Sequence, residues 1–192
     1  MDFSKQPGIV RVAFSIIRIT DSFTEVTGRV LSWLNIALVI SICTVVFMRY
    51  VLSLGSIALQ ELAIYLHAFI FLGCCAYTLR HDGHVRVDIF YRRFSARKKA
   101  IVNVLGTLFL LTPVSLFIGY ASWDYIETAW QLRESSHDAG GLPWVYLLKS
   151  MILFLVATLL IQAIAELLRG LLTISGYPAA IERSAEPLQE AA

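Results

Sequence analysis

Long runs without charge divide the chain. Val30–Met48 lies between Arg29 and Arg49, Leu62–Leu79 between Glu61 and Arg80, and Ala100–Trp123 between Lys99 and Asp124. Ser150–Ala165 lies between Lys149 and Glu166, and Trp144–Leu148 lengthens it once Lys149 extends its amine towards water. A helix needs about 20 mostly apolar residues to cross roughly 30 Å of hydrocarbon. The pattern predicts an all-α integral membrane protein with four transmembrane helices, over about 30–52, 58–80, 99–122 and 144–168. Ahead of them, Ile9, Val12, Ile16, Ile19, Phe23, Val26 and Val30 recur every three or four residues, with Arg11, Arg18, Asp21 and Glu25 between. That periodicity predicts an amphipathic helix in residues 1–29, lying on the membrane surface or in a partner's groove. The membrane domain then covers 30–169, and 170–192 form a tail. The first apolar run begins near residue 30 and exceeds the about 7–15 residues of a signal sequence, so it reads as a retained span.

Composition agrees with this picture. Of 192 residues, 57% are hydrophobic and 16% charged, with a mean hydropathy of +0.69. Soluble domains carry about 25% charged residues, so a soluble enzyme is disfavoured and a disordered chain excluded. A net charge of +2 gives no argument for a nucleic-acid partner. The placement of the basic residues says more. The N-terminal segment, the loop between spans two and three, and the tail hold 13 of the 16 lysines and arginines. Only Arg49, Arg133 and Lys149 fall on the other side. The positive-inside rule then predicts that both termini are cytoplasmic (N-in/C-in). Cys43, Cys74 and Cys75 lie within apolar runs and form no CxxC, which points to buried thiols rather than a disulfide framework or a zinc site.

Few residues in the spans could carry chemistry. His67 is the one strongly ionisable side chain away from the span ends; it suits helix packing, or a haem-binding redox subunit if a second axial ligand existed. Glu61, near the start of span two, could couple ions in a stand-alone small transporter. Its expected place near the interface disfavours that role; Arg49, across the short Leu52–Ile57 turn, is the better partner, and facing headgroups and water is the equal alternative to that pair. In the loop after span two, Gly83 suits the left-handed position that ends a helix, with Arg80 complementing the helix dipole. His81, Asp82, His84 and Asp88 match no established metal-ligand spacing, so no metal or other cofactor is expected. The arginines and aromatics that follow read as an interfacial anchor rather than a nucleic-acid site. The mildly acidic loop from Trp123 to Trp144 offers a turn at Gly140-Gly141-Leu142-Pro143 and, with no GxSxG around its serines, a docking surface rather than a nucleophile.

Several motifs in order carry a family resemblance. Arg49-Tyr50 closes span one, Glu61-Leu62-Ala63 opens span two, and Phe71-Leu72-Gly73 falls late in it. Gly83-His84-Val85-Arg86-Val87-Asp88 follows, then Glu134-Ser135-Ser136 and Pro143-Trp144. Over about residues 30–168 the chain resembles the small membrane subunit (DctQ-type) of tripartite ATP-independent periplasmic (TRAP) transporters. Family members often carry a tryptophan and a second acid just before the Glu61 position; this chain has Ile57-Ala58-Leu59-Gln60 there, so no role for paired acids carries over. The resemblance implies a bacterial inner-membrane protein without catalysis of its own. It implies two protein partners: a large permease subunit for which this chain is a scaffold, and a periplasmic binding protein that delivers an organic acid. Uptake would be driven by an ion gradient, usually sodium. Arg49, Glu61, His84 and Asp88 are then candidates for assembly with the large subunit, and Glu134, Ser135, Ser136 and Asp138 for docking the binding protein.

Overall fold

The computed structural model describes residues 8–84, 91 and 93–177, and the regular structure among them is helical. In chain order come α1 (Gly8–Ser32), α2 (Leu34–Tyr50), α3 (Ile57–Gly73) and α4 (Cys75–Arg80). Then follow α5 (Ala96–Gly106), a wide turn (Thr107–Leu111), α6 (Thr112–Gln131) and α7 (Val145–Ile174). Four of the described helical stretches are long and apolar enough to cross a membrane: Gly8–Tyr50, Ile57–Arg80, Ala96–Gln131 and Val145–Ile174. The chain is an all-α, multi-pass membrane protein, as lipid demands of a backbone that must satisfy its own hydrogen bonds.

The described residues form two compact units. One lies within Met1–Glu25, Tyr77–Ser115 and Leu159–Ala192, the other within Val26–Ala76 and Leu116–Thr158. In the first, Val10 and Ile17 of α1 pack on Ala165 and Leu172 of α7, with Phe14 and Leu168 beside them. In the second, α2 and α3 pack as a hairpin. Its connection ends at Ser56, whose extended backbone and side chain cap α3 by accepting from the Leu59 N–H.

Three local features differ from the sequence-based expectation. First, α1 runs past residue 29, and the joint with α2 falls at Trp33, where i→i+3 bonds replace the regular ladder. Second, α1 does not pack through its apolar stripe. Ile9, Ile19 and Val26 are 80%, 70% and 63% exposed, while Thr20 and Thr24 are buried with Val10 and Ile17. Lipid is as apolar as leucine, so a helix at a membrane can turn its polar face to its own protein. Third, the helix end near Gly83 is closed by Asp82, which takes the left-handed conformation (φ +56°) while Gly83 N–H donates to the Thr78 carbonyl. This is the 6→1 bond of a Schellman ending, with Asp in the place where Gly83 was expected. Arg133 and Glu134 close α6 in the same way, with Glu134 N–H donating to the Ala129 carbonyl.

The Ala96–Gln131 stretch is interrupted by its wide turn. The N–H and Oγ1 of Thr112 both donate to the Thr107 carbonyl. Pro113 follows directly; it has no N–H for the Phe109 carbonyl, and its ring would clash there in a regular helix. The widened turn accommodates that defect. Glycine permits close approach elsewhere: a Cβ on Gly73 would collide with Leu31, and one on Gly170 with Val104.

Candidate functional site

The Glu61 carboxylate, one turn into α3, anchors the loop between α6 and α7. Its Oε1 accepts from the Ser136 hydroxyl, and its Oε2 accepts from the Leu142 N–H at 2.6 Å. The loop closes on itself around this anchor. Ser136 N–H donates to the Leu142 carbonyl at 3.0 Å, Asp138 N–H to Ser136 Oγ at 3.1 Å, and Gly141 N–H to the Asp138 carbonyl at 3.0 Å. Gly140 has φ +85°, a conformation that suits glycine. Gly141 is required for a different reason: a Cβ there would lie 2.7 Å from Glu61 Oε1 and 2.5 Å from Ser136 Cβ. Hydrogen bonds to an ionised carboxylate are about twice as strong as neutral ones, so Glu61 fixes the loop more firmly than a neutral acceptor would.

A second contact braces the start of the same loop. Lys149 of α7 pairs with Glu134, and its Nζ lies 3.7 Å from the centre of the Tyr125 ring on α6. Beside it, Trp130 and Tyr146 meet edge to face with centroids 4.8 Å apart, and Trp130 Nε1 donates to Ser150 Oγ at 2.7 Å. The Arg133 guanidinium lies over both rings. Tyr65, one helical turn after Glu61, is buried with a hydroxyl that has no hydrogen-bond partner among the described residues.

The other unit holds a polar cluster that the sequence pattern did not assemble. Arg169 of α7 pairs with Glu166 and, at 2.7 Å, with Asp21 of α1. Arg80 at the end of α4 pairs with Glu25 and donates to the Asp21 carbonyl at 2.9 Å, and His81 Nε2 lies 3.3 Å from Glu25. Gln162, 0% exposed, fills the centre. It accepts from Thr24 Oγ1 at 2.8 Å and donates to Asp21 and Glu166 at 3.3 Å each. Both amide atoms of a buried glutamine are thereby satisfied, which makes the cluster a clasp between α1, α4 and α7. Its trace in the sequence is the spacing: Asp21 and Glu25 are four apart, and Gln162 and Glu166 are four apart, so each pair shares a helix face.

The residues singled out from sequence are thus distributed. Glu61, expected at the assembly surface or paired with Arg49, and Ser136, expected to dock a partner, are bonded to each other. Arg49 is exposed at the end of α2 and makes no ion pair with Glu61. Glu134 is half-buried against Lys149, whereas Ser135 and Asp138 are exposed. His84 is exposed just after the α4 ending; Asp88 lies outside the described residues. His67 is on an exposed face of α3, stacked on Phe71 with centroids 6.1 Å apart. Among the described residues, no group of three or more His, Cys, Asp or Glu side chains could hold a metal ion.

A family model described as "Tripartite ATP-independent periplasmic transporters, DctQ component" matches residues 38–173. Comparison with curated proteins and with solved structures gives no match. The matched region contains Glu61, the loop it anchors, and the Gln162–Arg169 half of the clasp, and begins after Asp21 and Glu25.

Proposed function

The chain belongs to the DctQ family of tripartite ATP-independent periplasmic transporter components, and from that premise we propose that it acts as the small permease subunit, a non-catalytic scaffold for a large membrane subunit. The large subunit moves the substrate, an organic acid delivered by a periplasmic binding protein, and an ion gradient, most simply sodium, drives uptake by symport. The membrane is the bacterial inner membrane. Lysine and arginine excess in the N-terminal segment, the loop after span two and the tail supports cytoplasmic termini.

One observation carries the scaffold reading over a self-contained carrier. Four carboxylates within the described helices are committed to structure: Glu61 to Ser136 and Leu142, Asp21 and Glu166 to Arg169, Glu25 to Arg80; Asp124 and Glu127 sit towards the end of α6, away from the middle of its stretch. A proton or ion relay needs an acid that can exchange partners within a path, whereas these hold fixed segments in place. The surfaces available to partners are then the exposed Ser135 and Asp138 for the binding protein, and the exposed Arg49 and His84 for the large subunit, with Asp88 a candidate from the sequence. The exposed apolar stripe of α1 faces lipid or that same subunit.

Copurification in mild detergent tests this. A stoichiometric, larger polytopic protein is the expected companion. A homo-oligomer that moves solute by itself in liposomes would replace the scaffold with a small transporter using Glu61. A Soret band in the purified protein would replace it with a haem protein using His67.

A further inference from the structure

A cavity of about 430 Å³ lies where α4 ends, α5 begins and α7 passes both. Such a volume falls within the range of small-ligand sites. Arg80, Lys99 and Arg169 bring three cations to its wall, against the carboxylates of Asp82 and Glu166. Glu166 is matched by Arg169, and Asp82 is engaged in an interaction of its own. Lys99 is different. It is half-buried, its Nζ is 5.2 Å from the centre of the Tyr91 ring, and it has no carboxylate partner among the described residues. A partly desolvated ammonium favours a nearby negative charge, and among the described residues the lining gives Lys99 none, so the cavity suits an anion.

The rest of the lining narrows the anion's class. Thr173 and Asn103 add polar groups to the lining, and Leu79, Ala100 and Gly170 add apolar surface. The site is built from the ends of membrane-crossing stretches, Arg80 closing one and Ala96 opening the next, which is the depth of lipid headgroups. A basic pocket between helices at that depth suits a phosphate ester whose remainder is apolar. We propose that this cavity seats the phosphodiester headgroup of an anionic glycerophospholipid, with Lys99 as its counter-charge and Arg80 and Arg169 as fixed cationic walls. A free phosphate ion would use the same cations but not the apolar part of the lining.

Native mass spectrometry of the purified full chain, with whatever subunit accompanies it, tests the site. The protein is offered phosphatidylglycerol, phosphatidylcholine or inorganic phosphate. The expected result is a retained phosphatidylglycerol adduct, absent with phosphatidylcholine and not displaced by millimolar phosphate. Lys99→Gln should lower its occupancy about fivefold, the worth of one lysine near an anionic headgroup. Lys98→Gln, an exposed neighbour with the same charge change, should leave it near wild type. Equal retention of both lipids, equal effects of the two variants, or a phosphate adduct in place of lipid would each overturn the proposal. Neither variant touches the clasp, so loss of the adduct in Lys99→Gln with an unchanged unfolding temperature reports on the site.

Discussion

Arg169 Nη2 lies 2.7 Å from Asp21 Oδ2, which joins two helices across 148 residues of chain. The two side chains are 11% and 18% exposed, so the pair is largely withdrawn from water. Removing one member of a buried pair leaves the other charge uncompensated and costs about 3 kcal/mol. Asp21→Ala should therefore lower the apparent unfolding midpoint in detergent markedly. Arg169→Met combined with it should cost much less than the sum of the two single changes, because both act on one network. Additive effects would mean that the pair contributes nothing as a pair.

The α1 stripe gives a second contrast, between neighbours. Ile17 is 7% exposed in the core with Ala165 and Leu172, while Ile19 is 70% exposed. Ile17→Ala should destabilise the purified chain by about 2 kcal/mol, the lower range for deleting a packed aliphatic side chain. Ile19→Ala should leave stability unchanged and weaken association with lipid or the large subunit. Equal thermal shifts for the two variants would contradict the orientation of α1.

What the sequence made legible follows from which forces act locally. The four spans were readable because a hydrocarbon layer imposes one rule, length without charge, on each segment separately. The amphipathic helix was readable too, but not its orientation. Periodicity identifies a stripe and leaves open whether protein or lipid covers it, and here Val10, Ile17, Thr20 and Thr24 turn inward instead. Sequence does not separate an Asp82 ending from a Gly83 ending, because both residues tolerate the left-handed region and they are adjacent. Glu61 stands out in the sequence as an acid at the start of an apolar run, but its partners Ser136 and Leu142 lie 75 and 81 positions away, where no spacing rule reaches. A still longer separation, 148 residues, hides the Asp21–Arg169 pair of the clasp.

Glu61 holds Leu142 N–H by a charge-assisted bond, whose net worth is about 1.5–3 kcal/mol. Glu61→Gln removes the charge and leaves Ser136 and the Leu142 N–H one acceptor oxygen between them, where the carboxylate gave each its own. Amide exchange at Leu142 should quicken about tenfold as the loop opens more often. Exchange in the α7 core near Ala163 should not change. A uniform increase along the chain would point to general destabilisation instead of a released loop.

Gly141→Ala tests the same anchor from the other side. The new methyl would lie 2.7 Å from Glu61 Oε1 and 2.5 Å from Ser136 Cβ, and both are fixed by hydrogen bonds. Relief requires moving the loop off Glu61, so the variant should reproduce the faster exchange of Glu61→Gln. Gly140→Ala should also be strained, through its φ of +85° rather than through a clash. The double variant Gly141→Ala with Ser136→Gly discriminates between these origins: it should recover part of the protection lost by Gly141→Ala. If it recovers none, the crowding at Ser136 is not what constrains position 141.

The docking residues separate by what they already touch. Glu134 and Ser136 are engaged within the chain, while Ser135 and Asp138 are exposed on the loop that Glu61 holds. Exposed charges guide encounter and contribute about 0.2–1 kcal/mol each, so Asp138→Ala should reduce transport up to about fivefold. The loss should be largest at low ionic strength and shrink as salt screens the encounter. Glu134→Ala should instead act through the loop, since it leaves Lys149 with only the Tyr125 ring beside it, and its effect should persist at high salt. Transport by the reconstituted complex across a salt series, with subunit stoichiometry checked for each variant, distinguishes the two. A salt-independent loss for Asp138→Ala, or no loss for Ser135→Ala and Asp138→Ala together, would remove this loop as the binding protein's landing surface.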